Sequence, residues 1–159
     1  MAVTNFDEYR DVFVVADTID DVVHPVTYEL IGQARRIAKE LGQLVQVMLL
    51  GENVQTEAEE LVAHGADIVH VFESPLLKYY TTDGYTKVLT DFFEDHKPNI
   101  LLIGATNNGR DLAPRMSGRM QNGVVADCTI LTVDTNEGLV EWPRPALGGN
   151  ILAEIISPN

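Results

Sequence analysis

The segment Gly104-Ala-Thr-Asn-Asn-Gly-Arg-Asp-Leu-Ala-Pro-Arg115 gathers the chain's densest set of groups able to act on a ligand. Gly104 and Gly109 allow close backbone approach or a positive φ. Thr106, Asn107 and Asn108 supply hydrogen-bond donors and acceptors. Arg110, Arg115 and Arg119 are three of the chain's seven arginines, and Asp111 is the only acid between Asp95 and Asp127. The segment leaves an apolar run and enters a helical pattern. A helix N-terminus placed there offers free amides and a positive dipole end to an anion. Three readings stand side by side: a plain strand–helix turn with a solvated arginine face, an anion- or nucleotide-adjacent loop, and a partner interface. Gly-x-Gly-x-x-Gly and Walker spacings are absent, so no standard phosphate loop is assigned.

Other candidate groups are more scattered. Asp17, Asp20 and Asp21 follow the first apolar run and could reach a ribose or a cation, although an acidic loop is the simpler reading. His24, His64, His70 and His96 lack metal-ligand spacing and read as loop or helix-end residues. Cys128 falls in a strand pattern and reads as a small packed residue. Ser117 and Ser157 have no nucleophile-elbow context. No residue is assigned a catalytic role and none a metal. Trp142-Pro-Arg-Pro-Ala-Leu-Gly-Gly-Asn150 is stiff and then flexible, a turn between edge strands or a contact loop.

These groups need elements to hold them. Continuous apolar runs at 12–16, 45–50, 68–72 and 100–104 suit parallel strands buried on both faces. Three amphipathic segments lie between them. The first begins near Pro25 and is capped by Gly42. The second begins at Thr56, with Glu59 completing a capping box, and stops at Gly65. The third carries Tyr85, Val88, Leu89, Phe92 and Phe93 and ends before Pro98. A fourth helix must begin within 108–113, because Pro114 is tolerated only in a first turn, and Asp111 is the expected cap residue. Beyond it, 124–133 and 151–156 read as strands, and 134–138 as a turn into 139–142. The expected fold is α/β: a three-layer, doubly wound, mostly parallel sheet with a C-terminal antiparallel edge, in a single domain over 1–159.

Composition narrows the function. The chain has 159 residues with 45% hydrophobic content, 11 Lys+Arg against 24 Asp+Glu, and one Cys. This length and apolar fraction support one packed domain and exclude a disordered chain. A formal net charge of −13 argues against nucleic acid and against anionic membrane surfaces. One cysteine excludes a disulfide framework. No apolar run is long enough to span a bilayer. The opening residues lack the basic and apolar regions of a signal peptide, so a cytoplasmic protein is expected.

Three motifs in order, the 104–115 segment, Ala126-Asp-Cys-Thr129 and Arg144-Pro-Ala-Leu-Gly-Gly-Asn150, closely resemble the N-terminal domain of electron transfer flavoprotein α subunits. The first strand and the α/β pattern fit as well. The resemblance implies pairing with a β subunit and electron traffic from NADH, an acyl-CoA dehydrogenase or another dehydrogenase. It also implies that most FAD-binding residues lie in a second domain outside this chain. FAD is therefore expected in the full heterodimer and none in this chain alone. Thr106, Asn107, Asn108, Gly109, Arg110 and Asp111 are then expected beside the partner's flavin, and Trp142, Arg144, Leu147 and Asn150 at the partner interface. The Thr-Asn-Asn-Gly-Arg-Asp form of the loop is similar to the branch that includes flavin-bifurcating members, with ferredoxin or flavodoxin as an acceptor. The alternatives are a free-standing nucleotide-binding module of the universal-stress type, whose usual Gly-x-x-Gly-x(9)-Gly-Ser/Thr pattern is missing, and a small hydrolase or transferase, for which no nucleophile–base pair is found.

Overall fold

Strand residues that alternate between two apolar faces need a helical layer on each. A computed structural model describes residues 8–128, 132–134, 139–141 and 151–155, and it meets that need. In chain order the elements are β1 (Arg10–Val15), β2 (Thr18–Ile19), β3 (Val22–Val23), α1 (Pro25–Leu41), β4 (Val45–Gly51), α2 (Gln55–Ala63), β5 (Ile68–Glu73), a 3₁₀ turn (Pro75–Leu77), α3 (Thr82–His96), β6 (Pro98–Gly104), α4 (Asn107–Met120), β7 (Gly123–Cys128), β8 (Thr132–Asp134), β9 (Leu139–Glu141) and β10 (Ile151–Ile155). The main sheet runs β5-β4-β1-β6-β10-β7. Its first four strands are parallel, and β10 lies antiparallel between β6 and β7. Val12, Val14, Val47, Leu49, Ile100 and Leu102 face one way, against Leu30, Ile31 and Ile37 of α1 and Leu61 of α2. Phe13, Val15, Met48, Leu50, Leu101 and Ile103 face the other, against Leu89 and Phe93 of α3 and Leu112 and Met116 of α4. The result is the expected three-layer, mostly parallel α/β fold.

The C-terminal edge differs in detail from the single strand expected over 124–133. That run is divided between β7, on the main sheet, and β8, which pairs antiparallel with β9 as a separate two-stranded sheet.

Helix α1 starts as its sequence requires, with Pro25 in its first turn and Gly42 closing it at φ 65°. Helix α2 does not use the Thr56/Glu59 capping box. It starts one residue earlier, with Val54 at the cap position. The Glu73 carboxylate, from the end of β5, accepts from the Val54 amide (3.0 Å) and from Gln55 Nε2 (3.0 Å). A neighbouring strand end thus supplies the acceptor that a local box would have supplied.

Helix α4 is the larger correction. Its cap is Thr106, not Asp111: Thr106 Oγ1 accepts from the Gly109 amide at 3.1 Å. Asp111 is helical, and Pro114 sits in the helix interior rather than the first turn. Pro114 removes one backbone bond, yet Leu112, Ala113 and Met116 on either side of it are buried against the sheet. Tertiary packing holds the helix through the residue that local rules would have used to delay its start.

Candidate functional site

The chain runs outward from β1 to β4 and β5, then returns to the other side of β1 at β6. Such a reversal leaves a crevice at the carboxyl ends of the two adjacent strands, β1 and β6. A cleft of about 530 Å³ occupies that place. Its walls are the β1 exit with Asp17 and Asp20, the α4 start with Thr106, Asn107 and Asn108, and the segment after β5 with Lys78, Tyr79 and Tyr80.

Each wall is fixed by identifiable bonds. The Asp17 amide donates to Thr27 Oγ1 (3.1 Å), and its carbonyl accepts from the His24 amide (2.8 Å). Asn108 Nδ2 donates to Asp17 Oδ1 at 3.2 Å, joining the β1 and β6 sides of the cleft. Asp20 and Asp21 form the two-residue turn between β2 and β3, with φ of 51° and 61°. Left-handed backbone at both positions is the geometry of a tight hairpin, and aspartate tolerates it better than most residues. The turn is anchored by Asp21 Oδ1, which accepts from the Glu52 amide at 2.9 Å. Of the three acids after β1, Asp21 is therefore structural, whereas Asp17 and Asp20 line the cleft.

The third wall is tied to α4. Asp111 Oδ2 accepts from Tyr80 Oη (2.6 Å) and from Thr82 Oγ1 (2.5 Å). The bonds from Thr82 and Tyr80 hold the Asp111 carboxyl below the usual carboxylate range. Burial, followed by the bond to Asp111, pushes the Tyr80 phenol well above its ordinary value. The Tyr80 ring also meets Tyr85 edge-on, with centroids 5.0 Å apart. Lys78 is neutralised by Glu52 at 2.7 Å.

The 106–111 motif is thus split. Thr106, Asn107 and Asn108 line the cleft, and Gly109 is buried beneath the strand end. Arg110 is exposed, with Nε donating to the Ala105 carbonyl (3.3 Å), and Asp111 turns toward the segment before α3. The arginine island of the sequence does not survive as one patch. Arg115 pairs with Asp83 (3.0 Å) and Arg119 with Asp91 (3.2 Å), both acids belonging to α3. Counting charge along the chain could not see a helix that packs alongside. Trp142, Arg144, Leu147 and Asn150 lie outside the described residues, as does Ser157.

Among the histidines, His24, His64 and His96 sit at helix ends as expected. His70 does not: it lies in β5, where its Nε2 meets Gln46 Oε1 at 2.6 Å. Burial, then the charge of His96, lowers its pKa. Cys128 ends β7, as its pattern implied. Ser117 Oγ donates to the Asn122 carbonyl, a closing bond at the end of α4. Among the described residues, no group of three or more His, Cys, Asp or Glu could hold a metal, and no helix is long and apolar enough to cross a membrane. Tyr79 and Tyr80 were not singled out by sequence reasoning. Their signal was the connection itself: residues 74–81 separate β5 from α3, longer than most strand-to-helix loops.

The comparisons with known proteins agree with this architecture. A family profile described as the electron transfer flavoprotein domain matches residues 12–159. The electron transfer flavoprotein subunit alpha of Megasphaera elsdenii is 47% identical over 152 residues, covering 96% of this chain and 45% of that protein. The lactate dehydrogenase (NAD(+),ferredoxin) subunit LctC of Acetobacterium woodii is also 47% identical, over 95% of this chain and 36% of its own length. The acryloyl-CoA reductase electron transfer subunit beta of Anaerotignum propionicum is 38% identical, over 97% of this chain and 48% of its own length. The chain therefore spans less than half the length of these relatives. Matched along nearly all of its residues by that profile, and sharing almost half of them with such subunits, the chain belongs to the electron transfer flavoprotein domain family.

Proposed function

We propose that this chain acts as the N-terminal domain of an electron transfer flavoprotein α subunit. In this reading it pairs with a β subunit and sets the α4 start beside the flavin or nucleotide held there. Electrons pass from NADH or a dehydrogenase to an acceptor through the assembled heterodimer. The observation that carries the proposal is the 47% identity to an α subunit across 96% of the chain. The family match favours this reading over the universal-stress-type alternative. The name of the LctC relative couples NAD(+) with ferredoxin, which favours a bifurcating role with ferredoxin or flavodoxin as one acceptor.

FAD itself does not fit this chain's cleft. Asp17 and Asp20 line it, and Lys78 is already committed to Glu52. A pyrophosphate would meet carboxylates without a compensating free cation among the described lining residues. In this reading the flavin lies outside this chain's cleft, and no step is routed through it.

The chain's own contribution is electrostatic. The exposed Arg110 guanidinium is attached to the first turn of α4, where the helix dipole is positive. Both favour negative charge on a group placed opposite. Arg110→Ala in the α/β heterodimer is the test. The expected outcome is intact assembly with slowed NADH-driven reduction or a shifted flavin potential. One lost charge-assisted contact is worth roughly 1.5–3 kcal/mol, which is about ten- to a hundredfold in rate. Weakened assembly with unchanged flavin chemistry would instead assign Arg110 to an intersubunit ion pair.

A further inference from the structure

Two acids that follow β1, Asp17 and Asp20, line the cleft, and Asn108 engages only one of the two Asp17 carboxylate oxygens. We propose that the cleft between the ends of β1 and β6 binds an uncharged nucleoside, with the Asp17 carboxylate accepting from the ribose hydroxyls. The inference concerns this chain's own surface and does not depend on which flavin the partner holds.

The position of Asp17 is set before any ligand arrives. Its amide and carbonyl are both engaged, by Thr27 and His24, and Thr27 is fully buried. One carboxylate oxygen accepts from Asn108, leaving the other oxygen to accept from a ligand. A carboxylate can only accept, so its natural partner is a pair of neighbouring hydroxyls rather than a carbonyl or a phosphate. Asn108 brings a complementary amide to the same place. His24 adds a donor: its Nδ1 accepts from the Val26 amide at 3.2 Å, so the ring proton resides on Nε2.

The opposite wall suits a flat apolar group. Tyr79, on that wall, is large yet 64% exposed, and Ile19, on the same side as Asp17 and Asp20, is 57% exposed and also lines the cleft. Tyr80 is held by Asp111 and by its edge contact with Tyr85, so this wall is preorganised. A nucleobase covers such surface, whereas a simple sugar does not. Inside the cleft, Asp17 lies against Asn108 in the first turn of α4 and offsets the partial positive charge there, so charge selects against phosphates. With Lys78 paired to Glu52, the lining presents Asp17 and Asp20 without a free cation among the described residues. Diol, flat ring and absence of negative charge together point to a free nucleoside.

The test is titration of the 159-residue chain by calorimetry, with chemical shifts at Asn108 and Tyr79 as a site-specific check. The probes are adenosine, 2′,3′-dideoxyadenosine and AMP. Adenosine is expected to bind at this site, and the dideoxy analogue at least about tenfold more weakly, because it leaves Asp17 without donors. AMP is expected to bind no more tightly than adenosine, with an affinity that improves as added salt screens the carboxylates. Asp17→Asn should cost about tenfold for adenosine and little for the dideoxy analogue. Tyr79→Ser, at an exposed position that the fold does not need, should weaken both equally. Failure of adenosine to bind at millimolar concentration, equal affinity for the dideoxy analogue, or clearly tighter binding of AMP would each overturn the proposal.

Discussion

Gly109 is the residue on which the geometry of the α4 start depends most directly, and Gly109→Ala should reveal it. A Cβ built at Gly109 would lie 1.8 Å from the Gly104 carbonyl oxygen and 3.1 Å from Ile103 Cγ2. Ordinary carbon–oxygen contact begins near about 3.3 Å, so helix and strand end must separate by about 1.5 Å. The obstacle is backbone, which no rotamer change removes. That displacement pulls the Gly109 amide from Thr106 Oγ1, a cap worth about 1 kcal/mol. It also disturbs the packing of Leu112, Ala113 and Met116, an overpacking cost of about 1–3 kcal/mol. Alanine returns about 1 kcal/mol in helix propensity. The net expectation is a loss of about 1–3 kcal/mol, or roughly 3–10 °C in Tm for a chain of this size. Gly118 supplies the control. It lies on the same helix, is exposed, and has nothing within 4 Å of a built Cβ. Gly118→Ala should therefore raise stability by about 0.5–1 kcal/mol. Paired thermal melts read both. If the two alanines shift Tm in the same direction, the close approach of α4 to β6 is not what makes glycine necessary at 109.

Two further outcomes are expected. Thr106→Ala should lower the urea midpoint by the equivalent of about 1 kcal/mol with an unchanged m-value, while Thr106→Ser should retain most of that stability because its hydroxyl can still accept from Gly109. For His70 the sign follows from its depressed pKa: the unfolded chain binds the proton first, so stability is full above about pH 6.5 and falls as pH drops toward the folded value. Urea melts at neutral and mildly acidic pH should show this loss in the wild-type chain and a smaller one in His70→Gln.

Much of the fold was legible because its signals are local or periodic. Buried parallel strands announce themselves as uninterrupted runs of Val, Ile and Leu, and β4 is buried at every position. Pro25, Gly42 and Pro98 mark boundaries through backbone constraints that no tertiary contact needs to supply. The misplaced helix starts have one cause. Thr56 and Asp111 each looked like a cap, and in each case an acceptor was already in place. For α2 it is Glu73, eighteen residues away along the chain. For α4 it is Thr106, which forces Pro114 inside the helix. Local rules identify residues able to cap, but folding chooses among them by where a helix must lie to cover the sheet.

The site was half legible for a related reason. The 104–115 segment stood out because its polar groups are consecutive, and Thr106, Asn107 and Asn108 do meet at the cleft. Its charge was misread because charge is a property of space rather than of sequence. Asp83 and Asp91 pair with Arg115 and Arg119 from a helix that sequence counting treats as distant. The same contact between helices explains why Asp111 matters. It does not face the cleft; it holds Tyr80, which does. The motif and the 74–81 connection are therefore one device: α4 is fixed to the strand end by Gly109 and Thr106, and through Asp111 it fixes the opposite wall. A ligand or partner that presses on either wall acts on both, because the bond between them runs through a single carboxylate.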